Sequence, residues 1–185
     1  MKELIFKDKQ KREVCEVEMF LEEYNLVASG APWTAHEHRD HPDYVIFSHS
    51  LNQYRLVELT SVYLHDSSVE KEHRFRHEEP IAIPYDAHKL EAYKNRIVRS
   101  VERKCATFRQ EFDSQIAILS LYLNDYIAIY LSREELLELV ILRFHQVAAS
   151  GPFNQIVMWG GSRYPPLVYY RDEDRDVYTI NNPRV

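Results

Sequence analysis

Two carboxylates, Asp43 and Glu58, lie in short apolar segments of the chain that are joined by a polar turn. Asp43 opens the segment DYVIFS, and Glu58 is the one acidic residue of the segment YRLVELTSVYL. Burying a carboxylate is costly unless it is hydrogen-bonded, paired with a cation or bound to a metal ion. Two carboxylates on neighbouring strands would supply the hard oxygen ligands that Mg²⁺ or Mn²⁺ requires. The pair therefore predicts a divalent metal site suited to phosphodiester hydrolysis.

Each carboxylate also has an ordinary structural interpretation. Asp43 could accept a hydrogen bond from a backbone amide at the start of a strand. Glu58 could form a salt bridge with Arg55, Arg99 or Lys104. Neither interpretation explains why an acid interrupts the second apolar segment, so the metal site is the more informative hypothesis.

Lys104 is the best basic candidate for such a site. A helix is predicted over residues 86–112, in which Ile97, Val101 and Phe108 fall within a narrow arc at about 100° per residue. Lys104 lies on the same arc and should face the sheet. Its ammonium would stabilise charge on the phosphorane or orient the attacking water. The alternative is a packed aliphatic stem with the ammonium in solvent.

A second group of metal-ligand residues comes just before Asp43: His36, Glu37, His38, Asp40 and His41. This spacing could bind zinc or another transition metal, although it has neither a cysteine partner nor the H-E-x-x-H pattern. A solvated loop is the ordinary interpretation of this polar segment. Glu37 or His41 could also lie beside Asp43, joining its metal site or contacting the phosphate.

The sequence pattern predicts alternating helices and strands. We expect a helix over 6–27, strands over 43–48 and 54–64, an exposed insertion over 65–85 and a buried strand over 115–123. We further expect a short strand over 126–131, a helix over 132–150, and strands over 154–159, 166–170 and 177–180. Asp86 should cap the long helix, and Ser132 with Glu135 should form a capping box. This order predicts an α/β fold, a mixed central sheet flanked by helices.

Composition sets the class of protein. With 185 residues and a net charge of −6, the chain is expected to form one domain over 1–185, with its core at about 6–160. The acidic balance argues against a general nucleic-acid coat protein but leaves room for a nuclease with a local basic surface. Apolar runs all fall short of the ~18 residues that span a membrane. Cys15 and Cys105 are expected to be reduced core residues of a cytoplasmic protein.

The carboxylate segments resemble the PD-(D/E)XK nuclease superfamily. The resemblance rests on Pro42-Asp43, on Glu58-Leu59-Thr60, and on the helix segment Val101-Glu102-Arg103-Lys104 followed by the apolar strand at 115–123. Thr60 occupies the position where lysine is usual, which is similar to members with E-x-T on the strand and a lysine on the following helix.

The resemblance implies a restriction-endonuclease-like fold, whose core is a helix, a three-stranded meander, a helix and a further strand. It implies Mg²⁺ or Mn²⁺ bound by Asp43 and Glu58, with Lys104 as a relocated catalytic lysine. An acid of the first helix, Glu16 or Glu23, would assist. Only two strands of the meander can be placed from the sequence pattern.

The function expected from this resemblance is a Mg²⁺- or Mn²⁺-dependent endonuclease acting on nucleic acid, with DNA favoured over RNA and no membrane partner. A homodimer or a partner protein would fit the same interpretation. The alternatives are a non-catalytic binding or regulatory protein on the same fold, and an unrelated α/β protein that binds a transition metal through residues 36–41.

Overall fold

The computed structural model describes residues 9–64, 85–108, 116–123, 126–139, 143–144, 151–160, 166–170 and 180–181. The first elements are helix α1 (Lys9–Tyr24) and strands β1 (Trp33–His38), β2 (Tyr44–Ser48) and β3 (Gln53–Val62). Next come helix α2 (Ala87–Thr107), strand β4 (Ala117–Leu123), a 3₁₀ helix (Tyr126–Tyr130) and helix α3 (Arg133–Leu139). The last elements are strands β5 (Gln155–Gly160), β6 (Leu167–Tyr170) and β7 (Ile180–Asn181).

The strands of the described residues form one mixed sheet in the order β1-β2-β3-β4-β5-β6-β7. Pairing is antiparallel from β1 to β3, parallel from β3 through β4 to β5, and antiparallel again from β5 to β7. Helix α2 lies in the connection between the parallel strands β3 and β4, as parallel pairing requires a long crossover. The predicted α/β class, with a mixed sheet flanked by helices, is confirmed.

Strand β4 is buried along its whole length, because each face of the sheet carries its own core. Ile118 packs into the cluster that contains Phe20 of α1, and its neighbour Leu119 packs into the cluster that contains Ile97 of α2. Successive side chains of a strand point to opposite faces, so a strand between two helical layers must be apolar at every position. Burying each such side chain contributes roughly 1.5–3 kcal/mol.

Residues 36–38, which the sequence suggested as part of a solvated loop, belong instead to strand β1. Residues from Trp33 to His38 pair antiparallel with β2, so the β1–β2–β3 unit is a three-stranded meander. Only Trp33 of this strand is buried. An edge strand is held chiefly by backbone hydrogen bonds to one neighbour, so its side chains can stay polar and show no apolar alternation.

The helix caps agree with the sequence. The Asp86 side chain accepts hydrogen bonds from the backbone amides of His88 and Lys89, both at 3.1 Å. Ser132 Oγ accepts from the Glu135 amide at 3.1 Å, and the Glu135 carboxylate accepts from the Ser132 amide at 2.8 Å, which completes the capping box.

Several boundaries differ from expectation. The predicted short strand over 126–131 is instead a 3₁₀ helix over Tyr126–Tyr130. Cys105 is buried as expected, but Cys15 is an exposed free thiol, since it lies about 200° around α1 from the buried Val17. Most of the insertion at 65–85 lies outside the described residues. Within the described part, no helix is long and apolar enough to cross a membrane.

Candidate functional site

Asp43 and Glu58 lie side by side on one face of the β2–β3 hairpin. Tyr44 pairs with Val57, and continuing this register by one residue places Asp43 opposite Glu58. Residues opposite each other in an antiparallel pair project to the same face. Both are buried, with exposed fractions of 6% and 2%. The Leu59 amide donates a hydrogen bond of 2.7 Å to Asp43 Oδ2, which fixes the first carboxylate beside the second.

Lys104 completes the predicted group of three. It lies in the last full turn of α2, one turn after the buried Val101, and its Nζ donates a hydrogen bond to Glu58 Oε1. The ammonium also lies 5.6 Å from the centre of the Phe108 ring. The Lys104 side chain is 21% exposed, so its ammonium stays within reach of solvent and of a ligand entering from outside.

The second carboxylate oxygen of Glu58 is buried, and no described group donates a hydrogen bond to it. An orphaned buried acceptor typically costs about 1–3 kcal/mol, and more when it carries charge. A hard divalent cation held between this oxygen and Asp43 would relieve that cost, so the donor set fits Mg²⁺ or Mn²⁺. Within the described residues, no three His, Cys, Asp or Glu side chains are grouped as ligands of one ion. Two protein carboxylates would leave coordination positions for water and phosphate oxygens, as is usual for Mg²⁺.

Burial raises the pKa of the Glu58 carboxyl above its ordinary value of 4.5. The hydrogen bond from Lys104 lowers this pKa, and the negative charge of Asp43 raises it again. The Lys104 ammonium and a positive charge on His41 lower it further. A proton therefore competes for the oxygens that would bind a metal.

Glu16 of α1 brings a third buried carboxylate to the same end of the hairpin. Ser61 Oγ donates a hydrogen bond of 2.8 Å to Glu16 Oε1. Burial raises the pKa of Glu16, the Ser61 hydrogen bond and the charge of Arg12 lower it, and the charge of Asp43 raises it. Asp43 thus acts electrostatically on both Glu58 and Glu16, although these two approach from opposite faces of the sheet.

Of the two first-helix acids, Glu16 is the one on which the charge of Asp43 acts, although it lies on the other face of the sheet. Glu23, the other candidate, lies two turns further along α1, about 10 Å away. Ser61 was not foreseen by the sequence reasoning. Its position three residues after Glu58, on the opposite face of the strand, was the available signal.

The secondary candidates have separate locations. Thr60 is buried on the same strand face as Glu58, and its Oγ1 donates a hydrogen bond of 2.8 Å to the Leu59 carbonyl. His41 is exposed, with its ring centre 5.7 Å from that of Phe108. Glu37 is exposed and its Oε2 forms a salt bridge of 2.6 Å with Arg39, so it is not a partner of Asp43.

The histidines of β1 are separated by an irregularity in the strand. The register of β1 shifts between Ala35 and Glu37. The His36 ring contacts Phe47 and Tyr54, whereas His38 lies against Tyr44 and Glu13 of α1. The bulge turns the two imidazoles toward opposite faces of the sheet. They do not converge on one ion, and the segment is a strand rather than a loop.

Three basic residues were considered as salt-bridge partners of Glu58, and the structure distinguishes between them. Arg55 projects to the face of α1, where its guanidinium lies 4.1 Å from the Trp33 ring centre and donates to the Tyr24 hydroxyl. Arg99 is exposed on α2. Lys104 alone of the three forms the ion pair.

Comparison of the chain with protein-family models, with curated proteins and with solved structures gives no match. Its functional interpretation therefore depends on the geometry of the site.

Proposed function

We propose that the protein is a metal-dependent nuclease that hydrolyses phosphodiester bonds in DNA, with a site of the PD-(D/E)XK type. One observation carries the proposal. Glu58 is buried opposite Asp43, with one oxygen bound to Lys104 and the other without a hydrogen-bond donor among the described residues. Keeping this carboxylate ionised costs folding free energy, and a bound divalent cation would offset that cost.

The residues have distinct roles in this proposal. Asp43 and Glu58 hold Mg²⁺ or Mn²⁺, which when bound polarises a phosphoryl oxygen. The Leu59 amide fixes the orientation of Asp43, and Lys104 is positioned to orient the attacking water and to stabilise developing negative charge. Glu16 adds negative charge that favours a cation at the same end of the hairpin.

Calorimetric titration with Mn²⁺ tests the metal site. Wild type should bind one ion, and Asp43→Asn and Glu58→Gln should each lose this binding, because each removes an anionic ligand. Glu37→Gln is the matched control, since it removes an exposed carboxylate outside the site, and it should bind as wild type does. If Asp43→Asn and Glu58→Gln both bind Mn²⁺ as tightly as wild type does, the proposal is contradicted.

Cleavage of supercoiled plasmid DNA tests the activity. Wild type with Mn²⁺ should produce nicked or linear DNA, and EDTA should prevent this. Lys104→Met should retain Mn²⁺ binding but lose cleavage, because the metal ligands remain and the ammonium is gone. Cleavage that is unchanged in Asp43→Asn would exclude this site as its source.

A non-catalytic binding or regulatory protein is the second candidate, and the Lys104–Glu58 ion pair favours it. If the pair serves only stability, the double variant with Lys104→Met and Glu58→Gln should have a changed free energy of unfolding and unchanged ligand binding. Wild type that binds DNA, fails to bind Mn²⁺ and leaves plasmid intact would support this candidate over the nuclease.

A further inference from the structure

A cavity of about 730 Å³ lies at the carboxyl end of β3, between α1 and α2. Its walls carry four arginines, Arg12 from α1 and Arg96, Arg99 and Arg103 from α2. Two hydroxyl groups, those of Ser61 and Ser100, also line it. The four guanidiniums and the Ser100 hydroxyl can donate hydrogen bonds to a ligand, and a guanidinium has no acceptor, whereas the Ser61 hydroxyl already donates to Glu16. The cavity, called the arginine cavity below, is therefore lined by donors to an anion.

The charge of Arg12 acts electrostatically on Glu16, but the arginines of the cavity make no ion-pair contact within the described residues. None of its four guanidiniums forms a salt bridge with a described carboxylate, and Arg96 donates instead to the Leu64 carbonyl at 3.0 Å. Lys94, on the same helix but outside the cavity, forms ion pairs of 2.7 Å with both Glu91 and Glu135. This contrast matters in a chain with a net charge of −6, where acids to pair with arginines are abundant.

Helix geometry explains why the charges gather. Arg96, Arg99 and Arg103 are spaced by three and four residues, so they project from one side of α2. Like charges at this spacing destabilise an isolated helix by a few tenths of a kcal/mol. An anionic ligand would reverse that effect.

The arginine cavity adjoins the carboxylate site. Ser61 lines the cavity and donates to Glu16, whose pKa responds to both Arg12 and Asp43. Arg103 immediately precedes Lys104, the ion-pair partner of Glu58. An extended polyanion that enters the cavity would therefore continue towards the proposed metal ligands.

We propose that the arginine cavity binds consecutive backbone phosphates of a nucleic acid strand. A guanidinium can donate two parallel hydrogen bonds to the oxygens of one phosphate. Arginines from two helices fit a chain of phosphates better than one small anion. That the strand then presents a phosphodiester to Asp43 and Glu58 depends on the proposed nuclease function. Binding by the cavity itself does not.

Fluorescence anisotropy with a labelled oligonucleotide tests this inference, with EDTA present so that metal binding plays no part. Replacing Arg99 and Arg103 together by Gln should weaken binding at least tenfold. The slope of log K against log salt concentration should become less negative by about 1.4–1.8, because binding releases fewer counterions when two phosphate contacts are lost. Arg143→Gln is the control, because Arg143 is exposed and donates to Asn95 outside the cavity.

The outcomes are separable. Weakened binding and a reduced slope in the folded double variant, with the control unchanged, support the inference even if Mn²⁺ does not bind, in which case only the nuclease proposal fails. Wild type that does not bind the oligonucleotide overturns the inference. A double variant whose affinity for the oligonucleotide is unchanged also overturns the inference. Wild type that binds inorganic pyrophosphate but not the oligonucleotide overturns it too. Circular dichroism of each variant establishes that it is folded.

Discussion

At the residue scale, the buried carboxylates lower the stability of the folded protein in the ionised form that the proposed function requires. Glu16, Asp43 and Glu58 are all at least nine-tenths buried, and burial raises the pKa of Glu16 and of Glu58. Each of these two is costly to ionise in the folded protein, yet a metal ligand must be ionised to bind its ion.

Replacing Glu16 with Gln should therefore stabilise the protein at neutral pH, by about 1 kcal/mol. Because the folded-state pKa of Glu16 is raised, wild type keeps the favourable protonated form below the ordinary value of 4.5 and loses that stability as pH rises through the folded pKa. Gln mimics the protonated form and can still accept from Ser61. Urea unfolding at several pH values measures the difference, which should shrink as pH falls towards 4.5.

A Glu16→Gln variant that is less stable than wild type at neutral pH would contradict this account. A difference that does not change with pH would also contradict it. Glu22→Gln, on an exposed position of α1, is the matched control and should leave stability nearly unchanged at every pH.

The position of the lysine gives a second prediction at this scale, which depends on the proposed nuclease function. Lys104→Ala should reduce plasmid cleavage by about 10²–10³-fold, as expected when one charge-stabilising donor is removed. Adding Thr60→Lys should restore part of the rate. Position 60 projects from the same strand face as Glu58, so a lysine side chain there can occupy the space that the Lys104 side chain vacates. Cleavage rates at saturating Mn²⁺ measure both effects.

Thr60→Lys alone is the informative control for this exchange. With Lys104 present, two ammonium groups would compete for Glu58 and the buried site would be overpacked, so this variant should not gain activity. A folded double variant no faster than Lys104→Ala would show that the lysine acts only from the helix.

At the element scale, the long helix α2 links the two proposed binding functions. Its buried side packs on the sheet, its last full turn carries Lys104, and its outer side carries the arginines of the cavity. One rigid helix therefore sets the distance between phosphate contacts and the carboxylates. Elements give better precision than loops for positioning functional side chains.

The N-cap of α2 should contribute measurably to stability. Asp86→Ala removes the acceptor for two backbone amides, those of His88 and Lys89, and should cost about 1 kcal/mol of unfolding free energy. Asp86→Ser should recover most of it, since serine is also a good N-cap. Urea denaturation compares the two variants, and equal stability of Ala and Ser variants would exclude the capping explanation.

The elements also differ in how far the sequence predicted them. Strand β4 was predicted because burial on both faces requires an unbroken apolar run. Strand β1 was missed because five of its six side chains are exposed, so it has no period-two apolar pattern. Its identity depends on backbone pairing with β2, which a single strand's side chains do not encode.

At the scale of the whole molecule, a bound metal ion would join elements that are distant in sequence. At Mn²⁺ concentrations about 100-fold above the dissociation constant, binding to the folded state alone should add about 2.7 kcal/mol of stability. For a chain of this length that corresponds to a rise in Tm of about 5–10 °C. Differential scanning calorimetry measures the rise in wild type, and EDTA should reverse it.

Asp43→Asn should show no such rise, because one of the two metal ligands is lost. Glu37→Gln should show the full rise, as its carboxylate lies outside the site. An equal Mn²⁺-dependent rise in all three proteins would mean that the ion binds elsewhere on the acidic surface.

The sequence by itself determined the buried strands, the caps at Asp86 and Ser132, and the choice of Asp43, Glu58 and Lys104 as candidates, because each depends on local pattern and on the cost of burying charge. Only the tertiary structure decided that these three side chains meet, since their convergence depends on strand register and on how α2 packs. It also separated His36 from His38 and brought Arg12 to the arginines of α2. Such contacts join residues far apart in the chain, and no local pattern records them.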